Sequence, residues 1–172
     1  MKEIRWHARA GQGAKTAAQL LALALLREGK SVQAFPEYGP ERRGSPMRAY
    51  TRYDDAPIRR HDAVEEPDAV VVLEPSLARM PDVRAGLRPG GFLLVNSEEA
   101  PAGALCVPAA RIAPAAVNLA MLGALAARLG EPQLDGLVAA AVELLGRKAD
   151  ADAIRSALEG GYAAGKEERW AA

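Results

Sequence analysis

The 172-residue sequence is poor in the residues that hold metals and clusters. It has one cysteine, Cys106, so it can form no internal disulfide, no iron–sulfur cluster and no structural zinc site of its own. Its two histidines, His7 and His61, exclude a multi-histidine metal centre. Redox chemistry would therefore need an electron carrier on another chain or a bound organic cofactor. No apolar run approaches the roughly 18 residues that suggest a membrane span. The longest, Ala17 to Leu26, already contains Gln19. The start, Met1-Lys2-Glu3-Ile4-Arg5, is charged and is not followed by a signal-peptide core, so a cytoplasmic location is expected. Net charge is zero, which argues against general nucleic-acid binding. The charge is unevenly spread, because residues 1–62 hold 12 Lys or Arg against 7 Asp or Glu. A neutral whole with a basic first third fits either a local anion site or chance clustering in an arginine-rich chain.

What is present is 49% hydrophobic, enough for one core, and reads as a single domain over 1–172. Strands are expected at 4–8, 32–35, 47–53, 69–73 and 92–95, with a last short one at 105–107. Helices are expected at 14–28, 115–129, 134–145 and 150–164, three of them stopped by Gly29, Gly130 and Gly146. Alternating strands and helices followed by helices alone predict an α/β fold. The expected form is a three-layer α/β/α sandwich with a mostly parallel sheet, a Rossmann-like opening βαβ and a helical C-terminal part, with strands 4–8, 32–35, 69–73 and 92–95 central. Segment 47–53, with no helix separating it from its neighbours, is expected to pair antiparallel at an edge.

Between the first strand and the first helix lies Gly11-Gln12-Gly13, flanked by Arg9 and Lys15. Backbone N–H groups at such a helix start can accept an anion, and glycine permits close approach. The same pattern also suits a tight turn that binds nothing. Neither familiar phosphate motif is satisfied. Thr16 stands where G-x-G-x-x-G needs glycine, and Ala14 precedes Lys15-Thr16 where the phosphate loop needs glycine. The loop Glu37-Tyr38-Gly39-Pro40-Glu41-Arg42-Arg43-Gly44-Ser45-Pro46 carries forked donors in Arg42 and Arg43 and a flat face in Tyr38. Beside the Gly turn it would make a basic rim at the carboxyl ends of the strands, where open α/β sheets bind ligands. The alternative is a structural loop whose arginines pair with Glu37, Glu41 or a neighbouring subunit.

Several pieces, in order, carry a resemblance over Met1 to about Arg147. They are Gly11-Gln12-Gly13, residues 33–44 (QAFPEYGPERRG), Pro57-Ile58-Arg59, residues 67–73 (PDAVVVL), and Asn118 with Met121-Leu122-Gly123. The chain resembles the gamma subunit of the 2-oxoacid:ferredoxin (or other acceptor) oxidoreductases. It departs from the glycine-richer first turn of that family, G-R-G-G-Q-G, by having Ala8 and Ala10 around Arg9. The resemblance implies a complex with alpha, beta and ferredoxin-like delta-type subunits. In it a thiamine diphosphate subunit decarboxylates the 2-oxoacid, iron–sulfur clusters on partners carry electrons, and coenzyme A takes the acyl group. It implies that this chain, not catalytic alone, helps bind coenzyme A and assemble the complex, with no nucleic acid and no membrane insertion. Arg9, Gly11, Gln12, Gly13, Glu37, Tyr38, Arg42 and Arg43 are the expected contacts, arranged along one seam. A free-standing nucleotide-binding α/β module is the alternative. His7 is read as a hydrogen-bonded strand-end histidine, with reach into the site as the second reading. Cys106 is read as a small buried hydrophobe, and Asn118 as a structural group.

Overall fold

The computed structural model describes residues 1–37, 44–99, 103–147 and 149–167. Six strands form one sheet: β1 (Lys2–Arg9), β2 (Ser31–Glu37), β3 (Pro46–Asp54), β4 (Ala69–Val72), β5 (Phe92–Asn96) and β6 (Leu105–Val107). Their order across the sheet is β2-β3-β1-β4-β5-β6. β1, β4, β5 and β6 run parallel, whereas β3 is antiparallel to both β1 and β2. Around the sheet lie α1 (Ala14–Arg27), α2 (Pro81–Arg84) preceded by a 3-10 turn at Pro75–Arg79, α3 (Ala109–Ile112), α4 (Val117–Leu129), α5 (Leu134–Leu145) and α6 (Ala151–Lys166). This is the expected mostly parallel sheet flanked by helices with a helical C-terminal part.

Two expectations are corrected. Segment 47–53 is not an edge strand, because β3 lies between β1 and β2 and is paired along its length on both sides. β2 is consequently the edge strand instead of a central one. The physical reason is that β3 has two faces with work to do. Ala49, Thr51 and Tyr53 meet the helical core, while Arg48, Tyr50 and Arg52 lie on the opposite face, so alternation buries both sides.

The helical face carries the larger core. Ile4, Trp6 and Ala8 of β1 pack there with Val71, Leu94, Leu21, Leu25, Met121, Leu122 and Leu158, all essentially buried. Trp6 Nε1 donates to Thr51 Oγ1 at 3.1 Å, and that hydroxyl donates to the Ala18 carbonyl at 3.2 Å, tying α1 to two strands. α4 and α6 approach closely. A Cβ on Gly161 would lie 1.9 Å from the Ala120 carbonyl oxygen, so only glycine admits this contact. Asp150 caps α6 by accepting from the Ala153 N–H at 3.0 Å.

The other face is divided. Over β4, β5 and β6 it is apolar, with Val70, Val72, Leu93, Val95 and Cys106 packed against Leu77, Ala78 and Val83. Cys106 is fully buried, as expected, and burial pushes its thiol pKa up. Over β1 and β3 the same face is polar yet buried. Arg52 donates to Glu3 Oε1 at 2.7 Å, to Gln33 Oε1 at 3.1 Å and to the Asp62 carbonyl at 3.1 Å. Arg88 completes the pairing, at 2.9 Å from Glu3 Oε2 and 3.2 Å from Asp68 Oδ2. Arg5 reaches the carbonyls of Val83 at 3.1 Å and Ala85 at 2.5 Å, fastening the end of α2 beneath the sheet. Among the described residues no helix is long and apolar enough to cross a membrane.

Candidate functional site

β1 ends where α1 begins, and two glycines make the reversal. Gly11 (φ +99°) and Gly13 (φ +82°) both occupy left-handed backbone. Gly13 caps α1 without a side-chain hydrogen bond, so no capping side chain occupies the backbone N–H groups of the first turn. A Cβ on Gly11 would meet nothing within 4 Å, whereas one on Gly13 would sit 2.6 Å from Asn118 Nδ2. Asn118, near the start of α4, donates to the Gly13 carbonyl at 3.3 Å. Its structural role is therefore as expected, and it also forms one wall of a cleft.

Gln12 folds back onto its own turn. Its Oε1 accepts from the Arg9 N–H at 2.7 Å, and its Nε2 donates to Glu74 Oε2 at 2.7 Å. Glu74 follows β4 and also accepts from the Ser76 hydroxyl at 3.0 Å. Burial opposes its charge, but the hydrogen bonds from Gln12 and Ser76 hold its pKa below the usual value. Asn96, at the end of β5, donates to the Leu73 carbonyl at 3.0 Å and accepts from Ala110 N–H at 3.1 Å. Gly11, Gln12, Gly13, Glu74, Asn96 and Asn118 thereby line one cleft of about 560 Å³ at the carboxyl ends of three parallel strands.

A second cleft of about 350 Å³ lies under the polar half of the sheet. His7, Glu37, Arg48 and Asp82 line it together with Met47, Leu77, Met80 and Val83. Arg48 reaches Asp82 Oδ2 at 2.6 Å and lies 3.7 Å from Glu37 Oε2. Tyr50 donates to Glu37, and burial together with that carboxylate pushes the phenol up to about 12. His7 is 4% exposed, and its Nε2 accepts from Arg5 Nε at 3.1 Å, as its reading as a hydrogen-bonded strand residue requires. Burial, then the charges of Arg5 and Arg48, lower its pKa from 6.5 to about 4, so the ring is neutral at physiological pH.

The expected contacts therefore divide between two clefts. Gly11, Gln12 and Gly13 share the first, and Glu37 belongs to the second. Arg9 connects them, donating to the Gly44 carbonyl at 3.1 Å and to Ser76 Oγ at 3.3 Å. Tyr38, Arg42 and Arg43 lie outside the described residues. Sequence reading passed over Glu74, Asn96, Arg48, Tyr50 and Asp82. Glu74 and Asn96 had a usable signal, since each stands at the carboxyl end of an apolar strand run. Among the described residues no group of three His, Cys, Asp or Glu side chains is placed to hold a metal ion.

Comparison with known proteins gives a consistent answer. The family model for pyruvate ferredoxin/flavodoxin oxidoreductase matches residues 3–164. The common gamma subunit of the pyruvate/ketoisovalerate oxidoreductases of Thermococcus kodakarensis is 59% identical over 99 residues, which are 58% of this chain and 54% of that one. The match thus spans about half the length of that relative. The crystal structure of pyruvate oxidoreductase subunit PORC from Thermotoga maritima superimposes with a TM-score of 0.82 at 40% identity, covering 94% of this chain and 95% of that one. The same fold recurs within 2-oxoglutarate:ferredoxin oxidoreductase from Magnetococcus marinus, solved with 2-oxoglutarate, coenzyme A and succinyl-CoA bound. There the TM-score is 0.74 at 17% identity, covering 96% of this chain and 31% of that one. With the family model matched over residues 3–164 and the fold of a solved subunit shared over nearly its whole length, this chain belongs to the pyruvate/2-oxoacid:ferredoxin oxidoreductase family as a gamma subunit.

Proposed function

We propose that the chain works inside a multi-subunit 2-oxoacid:acceptor oxidoreductase, where it binds part of coenzyme A and joins the subunits. Thiamine diphosphate and the iron–sulfur clusters belong to the partner subunits in this reading. Coenzyme A supplies the thiol that accepts the acyl group. The observation that carries the reading is the Gly turn. A helix start without a capping side chain, a left-handed Gly13 as its cap and open space above Gly11 suit an anionic group pressed against backbone. Glu74 stays ionised in the cleft wall, but its oxygens are turned to Gln12 and Ser76 and the nearby Arg9 offsets its charge. Arg9 borders the turn, and Arg42 and Arg43, which lie outside the described residues, are assigned to the cationic side from the sequence alone. Gln12 shapes the turn through its two side-chain hydrogen bonds, which leaves the backbone to make the contact.

Two changes test this in the intact complex. Gly13→Ala crowds Asn118 and strains the cap. Arg42→Ala with Arg43→Ala removes the forked donors. Each is expected to raise the KM for coenzyme A about tenfold, equivalent to about 1.4 kcal/mol of lost binding. The KM for the 2-oxoacid should stay within about twofold, since that substrate reacts on a partner subunit. Steady-state kinetics with each substrate varied in turn reads the split. Unchanged coenzyme A kinetics in an assembled complex would remove this chain from the coenzyme A path, and loss of assembly would assign the arginines to subunit bridging.

A further inference from the structure

Within the Gly turn, Gln12 alone carries a side chain. It lies between two glycines, which leave the backbone free to adopt other conformations. Two hydrogen bonds of its amide oppose that freedom. Gln12 Oε1 accepts from the Arg9 N–H at 2.7 Å, beyond His7 and Val72, the last pair of β1 with β4. Gln12 Nε2 donates to Glu74 Oε2 at 2.7 Å. A backbone N–H can only donate and a carboxylate can only accept, so a single orientation of the amide satisfies both partners. Glu74 therefore decides which way the Gln12 amide points.

The other oxygen of Glu74 reaches the cation beside the turn. Glu74 Oε1 accepts from the Ser76 hydroxyl at 3.0 Å, and Ser76 Oγ accepts from the Arg9 guanidinium at 3.3 Å. The circuit closes on itself, because Arg9 supplies a backbone N–H at one end and its guanidinium at the other. Glu74 is in turn placed by the sheet, since the N–H of the preceding Leu73 donates to the His7 carbonyl at 2.9 Å. Strand position is thereby passed to the turn through one carboxylate. That carboxylate also lines the cleft, where its charge opposes an incoming anion. Holding Gln12 and Arg9 in place offsets this opposition.

We propose that Glu74 is a positioning residue for coenzyme A, orienting Gln12 and, through Ser76, Arg9, so that the Gly turn keeps the shape that receives the phosphate end. The proposal rests on the coenzyme A reading above and adds a consequence opposite to simple electrostatics. Removing this negative charge weakens the binding of an anion. The test is equilibrium titration of the intact complex with coenzyme A and with 3′,5′-ADP, which carries the phosphate end alone. Glu74→Ala is expected to weaken both probes about fivefold, and Glu74→Gln, whose carbonyl still accepts from Gln12, to stay within about twofold of wild type. Gln12→Ala cuts the same bridge without touching Glu74 and should weaken both probes as well. The double change Gln12→Ala with Glu74→Ala should bind within about twofold of the weaker single variant, because the two residues act through one contact. The KM for the 2-oxoacid should stay within about twofold throughout, which a general loss of structure would not allow. Binding by Glu74→Ala as tight as wild type, or tighter, overturns the proposal and leaves Glu74 as an opposing charge only. Additive losses in the double variant also overturn it, as does dissociation of the complex by Glu74→Ala. Failure of the wild-type complex to bind either probe removes the coenzyme A reading itself, and this proposal with it.

Discussion

Replacing Glu3 by alanine is expected to lower folding stability by about 3–5 kcal/mol, the range seen when one partner of a buried ion pair is removed. Glu3 is 2% exposed and Arg52 is fully buried. The two oxygens of Glu3 are divided between Arg52 and Arg88, so its loss leaves the buried Arg52 without its closest carboxylate and Arg88 with Asp68 alone. Gln33 and the Asp62 carbonyl would still accept from Arg52, and the half-exposed Asp62 carboxylate at 3.6 Å offsets part of its charge, which places the loss toward the lower end of that range. The double change Glu3→Leu with Arg52→Met should be less destabilised than Glu3→Ala, because an apolar pair leaves no charge behind. Urea unfolding of the three proteins measures this. A loss below about 1 kcal/mol for Glu3→Ala would show that water reaches Arg52.

Stability should also fall on mild acidification, and His7 is the cause. In the unfolded chain His7 takes a proton near its ordinary pKa of 6.5, whereas in the fold it resists protonation to about 4. Between those values the unfolded state binds more protons, so stability is full above about pH 6.5 and declines as pH falls toward 4. The slope approaches about 1.4 kcal/mol per pH unit, giving a loss of about 3 kcal/mol across the window. The groups facing His7 explain the depression: burial first, then Arg5 and Arg48, with Asp82 opposing weakly. The lowered carboxyls of Asp62 and Asp82 act below their ordinary value of 3.8 and leave the upper part of the window to histidine. Unfolding curves at pH 7 and pH 5 should differ by about 2 kcal/mol. His7→Asn, which keeps an acceptor for Arg5, should flatten that difference. An equal acid loss in wild type and His7→Asn would contradict the assignment.

The elements were legible where apolar runs are uninterrupted. Residues 69–73 and 92–95 read as buried strands from composition, and 134–145 read as a helix ended by Gly146. The neighbour of β3 was not legible. Alternation along 47–53 predicts two faces and an antiparallel partner, but the insertion beside β1 depends on Glu3 meeting Arg52 across the sheet, a pairing 49 residues apart. The Gly turn was legible because the required left-handed backbone selects glycine at positions 11 and 13. Its walls were less so, since Glu74, Asn96 and Asn118 arrive from three separate elements. Placing Glu37 at the same seam as the Gly turn followed chain proximity, whereas pairing with β3 turns it toward Arg48 and Tyr50. His7 and Arg5 share a face by simple alternation, yet burial and the further charge of Arg48, which the β3 register brings opposite His7, come only with the sheet.

The most direct measurement is an anaerobic capture of the tagged chain from its native host, followed by identification and assay of what is retained. The account predicts co-purification of a thiamine-dependent subunit and an iron–sulfur subunit, with coenzyme A-dependent oxidation of a 2-oxoacid by the recovered material. Recovery of the chain alone, under conditions that preserve such complexes, together with tight nucleotide binding by the isolated chain, would contradict it and point to a free-standing nucleotide-binding module.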